Sequence, residues 1–426
     1  MTSLLTYDRS SEPGAGDVPG APERRRILYV WDADYPWDVR VQKICRALTD
    51  AGHDVHIVAR NRARRAEREV LPEGTVHRMP AWEWSGRLDG ALGFPAFFNP
   101  RWASLIDGAI RDLRPDVVIA RDLPLCPTAI WAARRHGVPV IHDMAEHYPA
   151  MIREIYEVGR QRPLDYLVRN PAVVAAVERW CIARCDRILV VIEEMAERLM
   201  AMGVPADRLD LVSNTPPRSR VTPRVSHTRE PGEPLRLAYL GIMEIPRGIG
   251  DLIEAAAILR DSGQAVQVDL VGTGRDIAEF EARARELGVH GREVRFHGFV
   301  ASHDAALQIV TEADIGVLPH RRCVHWDHTI PNKLFDYMAA GLPVLTSDAR
   351  PFARIVQEEQ CGEVFSSHDP AAVAAAVRRL ADVNRRRREG ANGQRAVAER
   401  FNWETDAAAL LASVEHAVRR ARVSPR

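Results

Sequence analysis

The chain has 426 residues, of which 46% are hydrophobic and 27% are charged, and its formal net charge is zero. A chain of this length exceeds one ordinary hydrophobic core and predicts at least two domains. The balanced charge gives no global electrostatic reason to bind nucleic acid or an anionic membrane, and no apolar run approaches the ~20 residues of a membrane span.

The N-terminal segment 1–25 is rich in proline, glycine and serine. Such a composition cannot bury enough apolar surface to fold, so we expect a disordered tail. The segment also lacks the basic start and the apolar core of a signal peptide, which predicts a cytoplasmic protein.

The cysteines are scattered along the chain, and none forms a Cys-x-x-Cys pair. Cys181 and Cys185 lie four residues apart on a predicted helix, with no histidine at the spacing of a metal ligand. The pattern favours reduced thiols in the core and predicts no metal site. The six positions are Cys45, Cys126, Cys181, Cys185, Cys323 and Cys361.

Short apolar strands alternate with helical patterns in the first half of the chain. Strands that are apolar along their whole length are typical of a parallel sheet with helices on both faces. The alternation predicts the α/β fold class, with a Rossmann-like doubly wound domain over 26–214. The predicted strands are 27–31, 54–60, 116–121, 139–144, 187–192 and 209–214.

A linker over 215–234 follows, because this segment contains five prolines and no apolar periodicity. The alternation restarts over 235–402 and predicts a second Rossmann-like domain. A C-terminal helix, 403–426, is expected to pack back on the first domain. Two such domains are expected to face a cleft at the carboxyl ends of their strands. The second set of predicted strands is 235–241, 267–272, 294–298, 314–319 and 343–347.

The segment 237–259 predicts an anion site at a strand-to-helix turn. Its strand ends at Gly241, its loop carries Arg247, and Gly248 opens the next helix. A basic side chain beside the free amides of a helix N-terminus attracts phosphate. The alternative is an ordinary turn with a solvated arginine.

The segment 268–280 places Gly272 and Gly274 directly after another strand. Ile277 holds the place of the third glycine of a dinucleotide fingerprint, so the segment does not predict NAD. Two glycines in such a turn do predict a close approach of a ligand to the backbone.

The segment 325–348 carries Lys333, one of only two lysines in the chain. Lys333 and Asn332 start a predicted helix beside Thr329, and this set can hold a diphosphate by charge and hydrogen bonds. Asp336 follows one turn later and can accept hydrogen bonds from ribose hydroxyls. The alternative is a capped surface helix with an ordinary polar pair.

Taken together, these segments resemble the C-terminal half of the family-4 retaining glycosyltransferases of the GT-B fold. Members combine a G-x(5)-[KR]-G turn, a V-G-x-G turn and an acidic residue just before a M-A-A-G-x-P-V helix end, and all three occur here in that order. The segment DVRVQKICRALTDAGHDVHIVAR resembles their first βαβ unit. The resemblance covers about residues 26–420.

The resemblance implies a nucleoside-diphosphate sugar as donor, an acceptor hydroxyl, retention of the anomeric configuration, and no cofactor or metal. It implies that Arg247 binds the donor diphosphate and that Asp336 binds the donor ribose, while Lys333 matches a subgroup with a P-N-K-[LF] sequence. The positions expected to contact the donor are Gly241, Arg247, Gly248, Gly272, Gly274, Gly298, His328, Thr329, Asn332, Lys333 and Asp336.

Two departures from the family pattern concern the donor. His328 occupies the place of a glutamate that contacts the donor sugar, and Ile242 stands where many members have an arginine. Arg247 and Lys333 therefore remain as the two cations expected for the two phosphates, and we expect both to take part in catalysis.

The acceptor side is expected in the first domain. Family members often carry a D-x-H-E sequence in the loop that here contains Asp143, Glu146 and His147. We expect Glu146 or His147 to orient the acceptor hydroxyl as a catalytic residue, with Asp122 and Asp143 on the same side. The alternative is helix capping by Asp143 or Glu146.

Two further patterns are open to a functional interpretation. Asp32 and Asp34 match a D-x-D metal motif, but such metal sites belong to a different glycosyltransferase fold. The basic run 60–68 and the aromatic cluster 92–102 can form a patch for peripheral contact with the inner membrane face, or a solvated loop and a helix on the sheet.

The predicted function is sugar transfer in glycan or glycoconjugate biosynthesis. The partners expected are a nucleotide sugar and an acceptor, either a glycan, a lipid-linked glycan or a small molecule, and no nucleic acid. A nucleotide-sugar epimerase of the same architecture and a non-catalytic nucleotide-binding protein are the alternatives, because the alternation of strands and helices suits them equally well.

Overall fold

The computed structural model describes residues 23–81, 94, 97–157, 169–221, 233–300 and 303–423. The chain divides into two compact units, one formed by Met1–Ser213 with Asp406–Arg426 and the other by Asn214–Thr405. Each unit is built on one mainly parallel sheet whose strands are connected by helices. The predicted α/β fold class with two doubly wound domains is therefore confirmed.

The sheet of the first unit has eight strands, which are β1 (Arg26–Asp34), β2 (Asp54–Arg60), β3 (Arg68–Leu71), β4 (Gly74–Arg78), β5 (Val117–Arg121), β6 (Val140–Met144), β7 (Arg187–Val190) and β8 (Leu209–Leu211). Their order is β3-β4-β2-β1-β5-β6-β7-β8, and only β3 and β4 pair antiparallel. The strand β1 pairs with β2 on one side and β5 on the other. This reversal puts a topological switch point at the carboxyl end of β1, where ligands of doubly wound folds bind.

The helices of the first unit are α1 (Val39–Asp50), α2 (Pro100–Leu113), α3 (Asp122–Arg135), α4 (Tyr148–Glu157), α5 (Pro171–Ile182) and α6 (Glu193–Ala201). Several begin at a side-chain cap that satisfies a free backbone amide. Asp38 accepts from the amide of Val41 at 2.9 Å before α1, and Asn99 accepts from Arg101 at 2.9 Å before α2. These caps fix where each helix leaves the sheet edge.

The sequence patterns did not predict β3 or β4. The strand β3 alternates between exposed and half-buried residues, and it lies at the edge of the sheet. The strand β4 starts at a glycine and carries His77 and Arg78. The strand β3 lies at the edge and the short strand β4 lies next to it, and both carry polar residues, so the apolar pattern that marks a central strand is missing from both.

The sheet of the second unit has six strands, all parallel, which are β9 (Leu235–Leu240), β10 (Val266–Val271), β11 (Val294–Gly298), β12 (Ile315–Leu318), β13 (Val344–Ser347) and β14 (Gly362–Phe365). Their order is β11-β10-β9-β12-β13-β14. All six residues of β10 are buried, as expected for a central strand covered on both faces. The half-buried strand β14 was not predicted.

The helices of the second unit are α7 (Ile249–Asp261), α8 (Ile277–Glu286), α9 (His303–Thr311), α10 (Asn332–Ala339), α11 (Arg350–Glu358), α12 (Pro370–Arg379) and α13 (Val383–Glu399). A last helix, α14 (Trp403–Val423), starts in the second unit and continues into the first. Within the first unit, Glu415 on α14 forms an ion pair with the buried Arg25 at 3.0 Å. That ion pair anchors α14 beside the start of β1.

No helix among the described residues is both long enough and apolar enough to cross a bilayer. Parts of several predicted segments fall outside the described residues. Among them are 1–22 of the tail, 158–168 of the first domain, 222–232 of the linker, 424–426 of the C-terminal helix, and residues 92, 93, 95 and 96 of the aromatic cluster.

Candidate active site

The carboxyl ends of β9 and β12 border the switch point of the second sheet. The strand β9 pairs with β10 on one side and β12 on the other, so successive connections leave in opposite directions. Loops from both strands meet there, and the amide of Arg321 donates to the carbonyl of Pro246 at 3.0 Å. Arg247 follows β9, His320 follows β12, and Lys333 is the second residue of α10.

Arg247 is held between an indole and an imidazole. Its guanidinium carbon lies 4.5 Å from the centre of the Trp326 ring, and its Nη1 lies 2.9 Å from Nε2 of His320. A guanidinium can only donate, so Nε2 of His320 accepts and the ring proton is assigned to Nδ1. Burial, followed by the charges of Lys333 and Arg247, lowers the pKa of His320 well below its usual value. The imidazole is therefore neutral and can position Arg247.

Lys333 reaches the same loops from α10. Its Nζ donates to the hydroxyl of Tyr239 at 3.2 Å and lies 4.3 Å from the centre of that ring. The hydroxyl in turn donates to the carbonyl of Ile242 at 2.6 Å. Burial and then the charge of Arg247 lower the pKa of Lys333 well below its usual value. Because both cations act on each other and on His320, the two predicted diphosphate contacts lie in one cluster of loops.

The glycines of these loops allow the loops to approach one another. A Cβ on Gly241, whose φ is +138°, would lie 2.5 Å from Nζ of Lys333. A Cβ on Gly272 would lie 2.1 Å from the carbonyl oxygen of Gly241, and a Cβ on Gly274 would lie 1.9 Å from that of Met243. Gly272 and Gly274 therefore let neighbouring loops pack closely, while the approach of a ligand to their backbone stays a prediction.

Gly248 gives a stability prediction with a matched control. Its φ is +70°, and a Cβ would lie 1.8 Å from the carbonyl oxygen of Pro319. We expect Gly248→Ala to lower the free energy of unfolding of the second unit by about 2–3 kcal/mol. A Cβ on Gly250 meets nothing within 4 Å, so Gly250→Ala should be neutral or stabilise by up to about 1 kcal/mol. Urea unfolding of both variants checks this, and equal stabilities would contradict the close contact.

The remaining donor-side residues surround α10. Asn332 is its first residue, Thr329 is buried just before it, and Asp336 is half-buried one turn later and raises the pKa of Lys333. His328 is half-buried, and its Nδ1 lies 2.8 Å from the carbonyl of Val324, which holds the ring against its own loop. Gly298 ends β11, and its carbonyl accepts from the amide of Gly272 at 2.9 Å. The contact of each of these residues with a donor stays a prediction.

In the first unit, Asp143 is a buried anchor. Its side chain is fully buried and forms ion pairs with Arg40 at 2.6 Å and with Arg121 at 3.6 Å. The hydroxyl of Tyr29 donates to it at 2.7 Å. Burial raises the pKa of Asp143, but the two arginines outweigh burial and lower it. The predicted place of Asp143 on the acceptor side therefore needs correction, since its carboxylate is already engaged by the protein.

Asp122 holds a strained position at the carboxyl end of β5. It is the first residue of α3, its φ is +53°, and its carboxylate accepts from the amide of Ala145 at 3.2 Å. Burial raises the pKa of Asp122 to about 7, although Arg121 opposes the shift. The charge of Glu146 adds to the increase. Asp122 and Glu146 are thus neighbours, and the buried His147 follows them just before α4.

Asp32 lies at the same edge, at the carboxyl end of β1. It lines a cavity together with Arg169 and mostly apolar side chains, among them Phe97, Tyr148 and Ile152. Burial raises the pKa of Asp32 to about 6. Asp34 is engaged differently, because it accepts from the amide and side chain of Arg62. The D-x-D pattern therefore does not present two carboxylates to one site.

Comparison with known proteins decides the family. A family model described as a glycosyl transferase 4-like domain matches residues 38–215, and one described as glycosyl transferases group 1 matches residues 234–382. The two matches follow one another as the two units do. The chain is a glycosyltransferase of the GT-B fold.

Its relatives and structural neighbours include several sugar-transferring enzymes. A glycogen synthase from Mycobacterium tuberculosis is 29% identical over 75% of this chain and 72% of its own. A D-inositol 3-phosphate glycosyltransferase from Xylanimonas cellulosilytica is 27% identical over 96% of this chain and 94% of its own. The solved sucrose-phosphate synthase from Thermosynechococcus elongatus has a TM-score of 0.73, with 19% identity over 94% of this chain and 100% of its own.

The sequence patterns missed Tyr239 and His320, which contact the two cations. Asp32 was singled out only as part of a D-x-D pattern, and not as a residue that lines the cavity of the first unit. Position in the fold could have marked all three, because Tyr239 and Asp32 lie on strands near the carboxyl end and His320 lies two residues after a strand. Polar or aromatic residues at that edge next to a switch point are candidates even without a motif.

Proposed function

We propose that this glycosyltransferase moves a hexosyl group from a nucleoside-diphosphate sugar to an acceptor hydroxyl. The observation that supports this proposal most is the meeting of Arg247 and Lys333 at the switch point of the second sheet. Two cations beside the starts of α7 and α10 provide the charge that a diphosphate requires. The resemblance to the family-4 enzymes supports retention of configuration.

Breaking the anomeric C–O bond leaves negative charge on the nucleoside diphosphate and positive charge on the sugar ring. Arg247 and Lys333 stabilise the departing diphosphate, and one preorganised donor of this kind contributes about 2.7–4 kcal/mol to the transition state. His320 and Trp326 position Arg247, while Tyr239 positions Lys333. In this proposal the two cations and the starts of α7 and α10 take the place of a metal, because together they offset part of the negative charge of the leaving group.

The cavity beside Asp32 supports an acceptor with an apolar part. Its lining combines one acidic and one basic residue, Asp32 and Arg169, with aromatic and aliphatic side chains that include Phe97, Tyr148 and Met151. Such a lining suits a hydroxyl carried on a lipid-linked or otherwise amphipathic molecule. In this proposal Asp122, Glu146 or His147 orients that hydroxyl, and the reaction belongs to glycan or glycoconjugate biosynthesis at the cytoplasmic face of a membrane.

Donor selection is tested by thermal unfolding with UDP-, GDP-, dTDP- and ADP-sugars, because a ligand of the native state raises the melting temperature. UDP-sugars are tried first, since the neighbouring structure of Alr3699/HepE from Anabaena contains UDP-glucose. The stabilising donor is then incubated with and without a lipid-linked acceptor. Transfer supports the proposal, an isomerised sugar nucleotide with donor alone supports the epimerase, and no conversion supports a binding protein.

The lowered pKa of Lys333 predicts a pH dependence of donor binding. In the free protein Lys333 loses its proton at a lower pH than an ordinary lysine, because burial and Arg247 disfavour its charge. Donor affinity should therefore fall as the pH rises through that lowered pKa. Calorimetric dissociation constants from neutral to alkaline pH check this. Lys333→Ala should remove this part of the dependence, and an unchanged profile in the variant would contradict it.

A further inference from the structure

A cluster of sulphur and nitrogen donors lies inside the first unit, whereas the proposed donor site belongs to the second. Cys126 comes from α3, His142 from β6, and Cys185 from the connection between α5 and β7. One Sγ or ring nitrogen of each lies within 4.8 Å of the others, and all three residues are buried. Residues distant in sequence therefore meet around one point.

The spacing of the two sulphurs matches a metal site. The Sγ atoms of Cys126 and Cys185 are 3.9 Å apart. A tetrahedral zinc ion with Zn–S bonds of about 2.3 Å separates its sulphurs by about 3.8 Å. The same distance is far too long for a disulfide, whose S–S bond is about 2.05 Å. The thiols are already spaced for a metal between them.

Among the three side chains, His142 has the polar atoms that most need a bonding partner. Its side chain is 1% exposed, and neither Nδ1 nor Nε2 makes a hydrogen bond among the described residues. The backbone of Asp122 lies near the ring, but without the geometry of a hydrogen bond to either nitrogen. A buried polar group without a partner costs about 1–3 kcal/mol. A bond from one ring nitrogen to a metal would satisfy it.

Cys181 is the nearest further thiol, although it lies outside the group of three donors that are all within 4.8 Å of one another. Its thiol interacts with that of Cys126, and it is buried at the end of α5. The amide of Cys185 donates to the carbonyl of Cys181 at 2.9 Å, so the two cysteines sit one helical turn apart. Their spacing, Cys-x(3)-Cys, falls within the range of structural zinc sites. The local sequence has no histidine at this spacing, and the only histidine of the cluster, His142, comes from β6.

We propose that Cys126, Cys185 and His142 bind one zinc ion, with Cys181 moving toward it as the fourth ligand, and that the ion ties α3, β6 and the end of α5 together. The three thiols release three protons on binding, while the neutral imidazole releases none. Four protein ligands leave no open position, so the ion is structural and takes no part in glycosyl transfer. This inference does not rest on the proposed function.

The test is the metal content of the full chain, expressed with zinc in the medium and freed of loosely bound metal. Mass spectrometry of the digested protein should find about one zinc per chain. Cys126→Ser and His142→Ala should lose most of it. Cys361→Ser, which removes a buried cysteine of the second unit, should keep it. Metal-free wild type, or zinc that persists in Cys126→Ser, would overturn the proposal.

A second measurement on the wild type covers the case in which the variants do not fold. Replacement of zinc by cobalt should give the sulphur-to-metal absorption and the intense visible bands of a tetrahedral thiolate site. An organomercurial should release the ion, and a chromogenic chelator should count one zinc per chain. Cobalt bound without the thiolate absorption would show that the ion lies elsewhere and would overturn the site.

Discussion

Replacing Lys333 by alanine should lower the turnover number by on the order of a hundredfold or more. In the structure Nζ of Lys333 is fixed by the hydroxyl of Tyr239 and shares its surroundings with Arg247. Its positive charge is most valuable when the diphosphate departs, so kcat should fall more than donor affinity. Single-turnover kinetics at saturating donor measure this difference.

Lys333→Arg should recover little of the activity. The space at Nζ is narrow, since a Cβ on Gly241 would already come within 2.5 Å of it. A planar guanidinium is also not a substitute for a compact ammonium. Lys43→Ala on α1 is the matched control, because it removes the only other lysine of the chain. Turnover in Lys333→Ala equal to that of Lys43→Ala would exclude the proposed role.

A double-mutant cycle separates a shared ligand from two independent effects. If Arg247 and Lys333 stabilise the same diphosphate, Arg247→Ala and Lys333→Ala should be non-additive, with a coupling of about 0.5–3 kcal/mol in the activation free energy. Additive losses would argue that the two cations serve different groups. Burial and Arg247 already disfavour the charge of Lys333, so its removal should not unfold the protein, and circular dichroism verifies this.

The second large effect is expected at Asp143, where Asp143→Asn should lower the free energy of unfolding by about 3–5 kcal/mol. The carboxylate pairs with Arg40 and Arg121 in a fully buried place. Its neutralisation leaves two buried guanidinium groups without that counter-charge. Urea unfolding followed by tryptophan fluorescence measures the change.

Asp50→Asn is the control for Asp143→Asn. Asp50 pairs with Arg46 one turn away on α1, and both side chains are more than half exposed. Exposed pairs of this kind contribute at most about 1 kcal/mol. The contrary outcome is that Asp143→Asn keeps the stability of the wild type and lowers only the affinity for the acceptor. That result would support the original prediction that Asp143 contacts the acceptor.

Apolar runs along the sequence predicted the central strands of both sheets well. The bounds predicted for β2 and β11 are those observed, because an apolar run ends where the chain leaves the covered part of a parallel sheet. The strands β3, β4 and β14 escaped prediction because two of them lie at sheet edges and all three carry polar residues.

The candidate site was predicted only in part, for a related reason. Arg247 and Lys333 could be singled out because each lies in a recognisable turn, and the structure brings them together. The pairing of Arg247 with His320 spans 73 positions, and the meeting of Cys126 with Cys185 spans 59. Such pairs depend on the order of strands, which periodicity along one segment does not specify. For the same reason the sequence did not predict that Asp143 is buried in an ion pair, since its partner Arg40 lies 103 positions away.

The scarcity of lysine gives this enzyme an unusual chemical handle. Apart from the N-terminus, the chain carries two primary amines, those of Lys43 and Lys333. The lowered pKa of Lys333 leaves more of its amine uncharged and nucleophilic than an ordinary lysine has. A small acylating reagent at mildly alkaline pH should therefore modify Lys333 ahead of Lys43, and occupation by a sugar nucleotide should shield it. Peptide mass mapping measures how much Lys333 is acylated, and a decrease with added sugar nucleotide would report donor binding.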